Sequence, residues 1–144
     1  MTKIQRSALL RFPAALMFDL VDDVESYPDF LPWCEASKVL LREEGLVEAR
    51  LDVARSGLRK SFTTRNTFQN KNSMRMSLIE GPFHRLEGMW TFQPLRQDAS
   101  KISLDLEFEI AGRLADIAFG KVFGQICNTL VSAFSQRAKD LYGS

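Results

Sequence analysis

The sequence predicts an α+β domain in which a curved, seven-stranded antiparallel sheet wraps around one long C-terminal helix. Three observations carry this. From residue 36 to residue 110, apolar and polar side chains alternate in successive short runs, the period of half-buried strands. The breaks between runs are too short for parallel crossovers, which need about a dozen residues or more. From about residue 114 onward the period changes to a broad apolar stripe at helical spacing.

Each element follows in order. Residues 3–10 read as a short strand. Pro13 fits the first turn of a helix, and Leu16, Met17, Leu20, Val21 and Val24 recur at helical spacing. Pro28 and Pro32 break this segment into a second, short helical turn. Residues 36–42 start the run of strands. Val47, Ala49, Leu51 and Val53 then alternate with Glu48, Arg50 and Asp52. Phe62, Thr64, Asn66 and Phe68 share one face of the next strand, and Met74, Met76 and Leu78 one face of its successor. Leu86, Gly88, Trp90 and Phe92 line another. The last strand sets Ile102, Leu104, Leu106, Phe108 and Ile110 against Lys101, Ser103, Asp105, Glu107 and Glu109.

The connections are turn-like: Glu44-Gly45, Ser56-Gly57, Gln69-Asn70-Lys71-Asn72, Gly81-Pro82 and Gln97-Asp98. They join antiparallel neighbours, giving a meander with one wet and one dry face. The helix, 114–142, carries Leu114, Ala118, Phe119, Val122, Phe123, Ile126, Leu130, Val131, Phe134 and Leu141 on its stripe. No charged residue occurs from Val122 to Gln136. One helix must cover the dry face of a large twisted sheet, so the sheet has to curl to meet it. A single helix fills such a concavity poorly, and an internal apolar cavity is expected.

A chain of 144 residues is long enough for one self-sufficient domain, 1–144, with no need of a metal or disulfide staple. The apolar share of 45% and charged share of 26% exclude wholesale disorder. Nineteen basic against 18 acidic residues give +1, which excludes a strongly cationic nucleic-acid coat protein, and no DNA partner is expected. The charge is uneven, however. Residues 36–75 carry nine basic and four acidic side chains, among them Arg50, Arg55, Arg59, Lys60, Arg65, Lys71 and Arg75. This block is either the solvated edge of two hairpins or a patch for an anionic partner. Cys34 and Cys127 are 93 positions apart, and with a single histidine they make no zinc motif. Reduced thiols, an N-terminus without a signal-peptide core and no run of 18 apolar residues lead to the expectation of a cytoplasmic protein.

The search for chemistry gives little. His84, the one histidine, has no assignable orienting partner and reads as a surface or cavity-mouth residue before a catalytic one. Cys34 reads as a buried structural thiol rather than a nucleophile. Asp19, Asp22, Asp23 and Glu25 lack the calcium-loop pattern and read as a solvated helix end. Gly120 and Gly124 each cost a helix about 0.8–1.0 kcal/mol relative to alanine, so they leave room for sheet backbone or for a ligand. With 122–136 uncharged and Gly120 and Gly124 weakening the helix there, its first turns could shift as a lid to admit a ligand; a permanently packed core helix is the plainer alternative. The inward aromatic and sulfur side chains fit either ordinary core or the lining of an apolar pocket. The candidate lining set is Phe62, Thr64, Asn66, Met74, Met76, Leu86, Trp90, Phe92, Leu106 and Phe108 from the sheet. Phe119, Phe123, Ile126 and Leu130 complete it from the helix. Asn66, His84 and Arg65 are the polar groups nearest its expected ends.

Several stretches together resemble a known family. They are Tyr27-Pro28-Asp29-Phe30-Leu31-Pro32-Trp33-Cys34, Phe62-Thr63-Thr64-Arg65-Asn66, and Gly81-Pro82-Phe83 followed by Leu86, Gly88, Trp90, Phe92, Pro94 and Leu95. The closing helix adds Ala118-Phe119-Gly120-Lys121-Val122-Phe123, Ala133-Phe134, Arg137-Ala138-Lys139 and Tyr142. In order and spacing they resemble the bacterial ribosome-association toxin (RatA-like) and coenzyme-Q-binding START-domain family of the polyketide cyclase/dehydrase superfamily. The resemblance implies a helix-grip (START-like) fold with a cavity between sheet and helix. It implies either of two functions. One is non-enzymatic binding of ubiquinone or a related polyprenyl lipid in support of respiration, with peripheral contact on the inner membrane face. The other is association with the large ribosomal subunit, blocking subunit joining. No cofactor and no metal is implied. A cyclase activity would rest on fold analogy alone.

Overall fold

Seven strands form a single antiparallel sheet in the order β1-β7-β6-β5-β4-β3-β2. The computed structural model describes residues 2–112 and 114–143, with backbone alone for 114–116. The strands are β1 (Thr2–Leu10), β2 (Cys34–Glu43), β3 (Leu46–Arg55), β4 (Leu58–Thr67), β5 (Ser73–Glu80), β6 (Phe83–Arg96) and β7 (Ala99–Ile110). Helix α1 (Ala14–Asp22) and a 3-10 helix (Val24–Asp29) lie between β1 and β2, and α2 (Leu114–Tyr142) closes the chain. The meander expected over residues 36–110 is present, pair by pair. At the β3–β4 hairpin, Ser56 and Gly57 both take positive φ (56° and 78°), as a two-residue turn that matches strand twist requires. β1 pairs with β7, Ile4 opposite Leu106, although about a hundred residues separate them in sequence. That pairing seats the N-terminal strand beside the last one.

Alternation puts one set of side chains on the concave face. Val47, Ala49, Val53, Phe62, Met74, Leu86, Trp90, Phe92, Ile102, Leu104, Leu106 and Phe108 are all buried. Phe119, Val122, Phe123, Ile126, Cys127, Val131, Phe134 and Ala138 of α2 pack against this face as its core stripe. Ala118 and Leu141, expected on that stripe, are exposed, although Phe119 beside Ala118 is fully buried. The Leu114 side chain lies outside the described residues. Ile117–Tyr142 is long and apolar enough to cross a membrane by composition; in the fold its apolar side is held in the sheet's grip.

The two helical glycines differ. A Cβ on Gly120 would lie 2.8 Å from Ile110 Cγ1, so this position lets α2 approach the end of β7. A Cβ on Gly124 would meet only Phe108 Cζ, at an ordinary 3.8 Å. Gly124→Ala is therefore expected to stabilise the protein by up to about 1 kcal/mol, and Gly120→Ala to destabilise it. Urea unfolding of both variants checks this; equal shifts of one sign would contradict it.

Candidate functional site

The sheet and α2 do not fill the space between them. A cavity of about 70 Å³ remains at the middle of the grip. Its floor comes from β3, β4, β5, β6 and β7 through Ala49, Leu51, Phe62, Thr64, Asn66, Met76, Leu86, Trp90 and Leu106. Its roof is one side of α2, with Phe123, Ile126, Cys127, Leu130 and Phe134 at helical spacing. Val24, Tyr27 and Trp33, from the 3-10 helix and the loop after it, close one end.

Gly88 lies between the floor residues Leu86 and Trp90 on β6, and its lack of a side chain lets neighbouring side chains close over it. Met76 and Leu106 flank it in the neighbouring strands, and a Cβ there would fall 2.7 Å from both Met76 Cε and Leu106 Cδ1. Aromatic clusters bound the cavity at either end. At one end Phe83 meets Phe62 and Phe123 with ring centroids 5.7 and 5.0 Å away, and Phe108 lies 4.9 Å from Phe123. At the other, Phe134 is edge-on to Tyr27, Phe30 and Trp90 at 5.4, 5.3 and 5.5 Å. Such edge-to-face contacts add to area burial and hold the rings in defined positions.

Of the residues expected to line a pocket, the structure brings ten together here: Phe62, Thr64, Asn66, Met76, Leu86, Trp90, Leu106, Phe123, Ile126 and Leu130. The other four, Met74, Phe92, Phe108 and Phe119, point to the same side of the sheet or helix but lie outside the lining. They are fully packed core, 0–2% exposed. Phe92 packs on Phe18 of α1, and Phe119 on Phe83, so other elements have already filled the space beside them. Seven lining residues were not picked out from sequence: Val24, Tyr27, Trp33, Ala49, Leu51, Cys127 and Phe134. The alternation of β3 and the stripe of α2 did mark Ala49, Leu51 and Phe134 as inward. Nothing local marks Tyr27 or Trp33, which reach the cavity only through the 3-10 helix and the loop after it that carry them.

Two polar residues expected near the cavity ends are elsewhere. His84 is exposed at the start of β6. Arg65 lies between inward Thr64 and Asn66, so strand alternation turns it to the convex face, where it pairs with Glu48 at 2.8 Å.

The wall is electrically neutral. Among the described residues, no Asp, Glu, Lys, Arg or His lines it. The Tyr27 hydroxyl donates to the Val21 carbonyl, and burial, aided by the Asp22 charge, pushes its pKa up. Burial likewise pushes up the Cys127 thiol. Cys34, beside the cavity at Trp33, is pushed up to about 11, by burial and then by the Asp52 charge. A raised thiol pKa favours the folded state below the thiol's ordinary range and loses that contribution as pH climbs through it. Stability is thus expected to fall as pH rises from 9 to about 11. Both thiols, 4% and 1% exposed, should resist a disulfide reagent at pH 8 until the protein unfolds. Rapid labelling of the native protein would contradict this.

The basic block over 36–75 is largely neutralised within the fold. Arg42 pairs with Asp22 (3.1 Å), Arg50 with Asp52 (3.0 Å), Arg59 with Glu35 (3.6 Å), Arg65 with Glu48 (2.8 Å) and Lys71 with Asp19 (2.8 Å). Ser61 and Arg50 both donate to the Asp52 carboxylate and hold its pKa below the usual range. Lys38, Arg55 and Arg75 are exposed and make no ion pair among the described residues.

Residues 10–135 match the family described as polyketide cyclase/dehydrase and lipid transport. The chain is 53% identical over 142 residues to the ribosome association toxin RatA of Pseudomonas aeruginosa, across 99% of each. It is 29% identical over 141 residues to the mitochondrial coenzyme Q-binding protein COQ10 homolog B of Xenopus laevis, across 95% of this chain and 58% of that one. Its fold matches the crystal structure of the Zhui aromatase/cyclase from Streptomyces sp. R1128 with a TM-score of 0.81 at 19% identity, covering 96% and 93% of the two chains. That last likeness concerns the fold alone.

Proposed function

Because the chain belongs to the polyketide cyclase/dehydrase and lipid transport family, we propose that it binds an uncharged apolar small molecule of the polyprenyl-quinone class between sheet and α2, without catalysing a reaction on it. The observation that carries this is the aromatic-rich wall of the cavity, whose described polar groups are the uncharged side chains of Thr64, Asn66, Tyr27 and Cys127 and the indole N–H groups of Trp33 and Trp90. Burying apolar ligand surface there would contribute about 25 cal/mol per Å². The coenzyme Q-binding relative supports the ligand class. At about 70 Å³ the cavity is smaller than the ~150 Å³ apolar cavity known to take benzene. A quinone ring therefore enters only if the wall moves, and the half-buried Met76 and Leu130 are its most adaptable members. Among the described residues the wall has no carboxylate or imidazole to serve as general acid or base, and the Tyr27 hydroxyl is engaged with the Val21 carbonyl, which supports a carrier over a cyclase.

Organic extraction of the purified protein followed by mass spectrometry, with a ubiquinone titration alongside, tests the proposal. Recovery of a prenyl quinone or saturable uptake is the expected result. No lipid and no uptake would sink it.

A second reading, association with the large ribosomal subunit, is supported by the name of the 53% identical relative. Contacts would fall to Lys38, Arg55 and Arg75, since their neighbours are already paired. Each phosphate contact contributes roughly 0.7–0.9 to the slope of log affinity against log salt, so binding should weaken only modestly with salt. Sucrose-gradient sedimentation at two salt concentrations decides it: a protein that stays in the top fractions at low salt has no such role. A cytoplasmic site of action, with peripheral membrane contact during ligand exchange, is part of the first reading.

A further inference from the structure

The cavity wall contains one polar pair whose hydrogen bonding is incomplete. Thr64 and Asn66 are two residues apart on β4 and so face the same way, into the grip. The Thr64 hydroxyl donates to Asn66 Oδ1 across 3.0 Å, which fixes the amide with its oxygen engaged. Asn66 is 6% exposed and Thr64 7%. The Nδ2 group of Asn66 donates to no other described residue, and it is not sealed off within the packed protein. An amide N–H that opens on the cavity is available to an acceptor brought into it. An amide N–H is matched by a neutral carbonyl oxygen. A carboxylate or phosphate would meet no cation among the described residues of this wall and would lose its hydration uncompensated.

We propose that the cavity selects uncharged apolar molecules bearing a carbonyl-type oxygen, which Asn66 Nδ2 holds, while Thr64 acts as a positioning residue for the Asn66 amide. This rests on the cavity binding proposed above and assigns a polar contact within it. It places the carbonyl end of the ligand against β4 and leaves the rest of the molecule to the aromatic and aliphatic wall.

The chain's two tryptophans, Trp33 and Trp90, both line the cavity, so intrinsic fluorescence reports occupancy directly. Two probes of one carbon skeleton separate the contributions: 2-methyl-1,4-naphthoquinone has carbonyls and 2-methylnaphthalene has none. Competition titrations and calorimetry on the full chain are expected to give the quinone about a tenfold preference, the size of one good buried hydrogen bond. In Asn66→Leu the preference should disappear with hydrocarbon binding retained. In Thr64→Val, with Asn66 in place but unanchored, it should drop severalfold. Decanoate should not compete. Equal affinity of both probes for the wild type, decanoate competing as well as the quinone, or an undiminished preference in either variant overturns the proposal. Thr64→Val alone settles it if Asn66→Leu fails to fold. If neither probe binds and tryptophan emission does not change, it is the cavity binding itself that falls.

Discussion

Ala49→Leu is expected to abolish ligand uptake while leaving the protein folded. Ala49 is 3% exposed at the middle of β3, opposite Thr64 of β4 and Val39 of β2, and its side chain forms part of the cavity floor. Leucine adds three carbons there, and the space within reach is the cavity of about 70 Å³. Filling it removes the volume a ring would occupy and crowds the Thr64–Asn66 pair. Affinity for a short-chain quinone should fall at least tenfold. Overpacking in cores costs about 1–3 kcal/mol when no space exists; here the void absorbs part of the added volume, so the net change in unfolding free energy should lie near the lower end. Fluorescence titration and urea unfolding measure the two effects separately. The variant also divides the functional readings. It leaves Lys38, Arg55 and Arg75 untouched, so sedimentation with ribosomal subunits, if it occurs, should be unaffected. A variant that binds quinone as well as the wild type would show that ligand does not occupy this space.

The largest loss of stability is expected at Phe134. Its ring is 1% exposed, edge-on to Tyr27, Phe30 and Trp90, and lines the same cavity from α2. Removing a buried phenyl group costs about 3–5 kcal/mol, and each kcal/mol corresponds to about 2–4 °C in Tm for a chain slightly larger than this. Phe134→Ala should therefore melt well below the wild type by circular dichroism. It should also enlarge the cavity, so saturating quinone should raise its Tm more than that of the wild type. A cost under about 1 kcal/mol would mean that neighbouring rings collapse into the gap, and ligand rescue should then vanish as well.

The sequence alone determined the architecture. In β7 the strict alternation from Ile102 to Ile110 decides which side chains face inward, and each meander turn is short enough to force antiparallel pairing. The stripe on α2 likewise decided its inward side. Inward direction could therefore be read residue by residue, and with it most of the cavity lining. Three things were left to the tertiary structure. The first is which inward residues border empty space: Met76 and Phe92 are indistinguishable by pattern, yet Phe18 packs on Phe92 and nothing comparable fills the space above Met76. The second is the closing end, where Tyr27 and Trp33 arrive on an irregular segment with no period to read. The third is the charge of the 36–75 block, whose excess of basic residues in sequence is met in part by Asp19, Asp22 and Glu35 from the preceding segment of chain. Periodicity fixes a side chain's direction through local backbone geometry. Distance to the next surface, and the partner a charge finds, depend on how separate elements dock, and only the folded chain decides that.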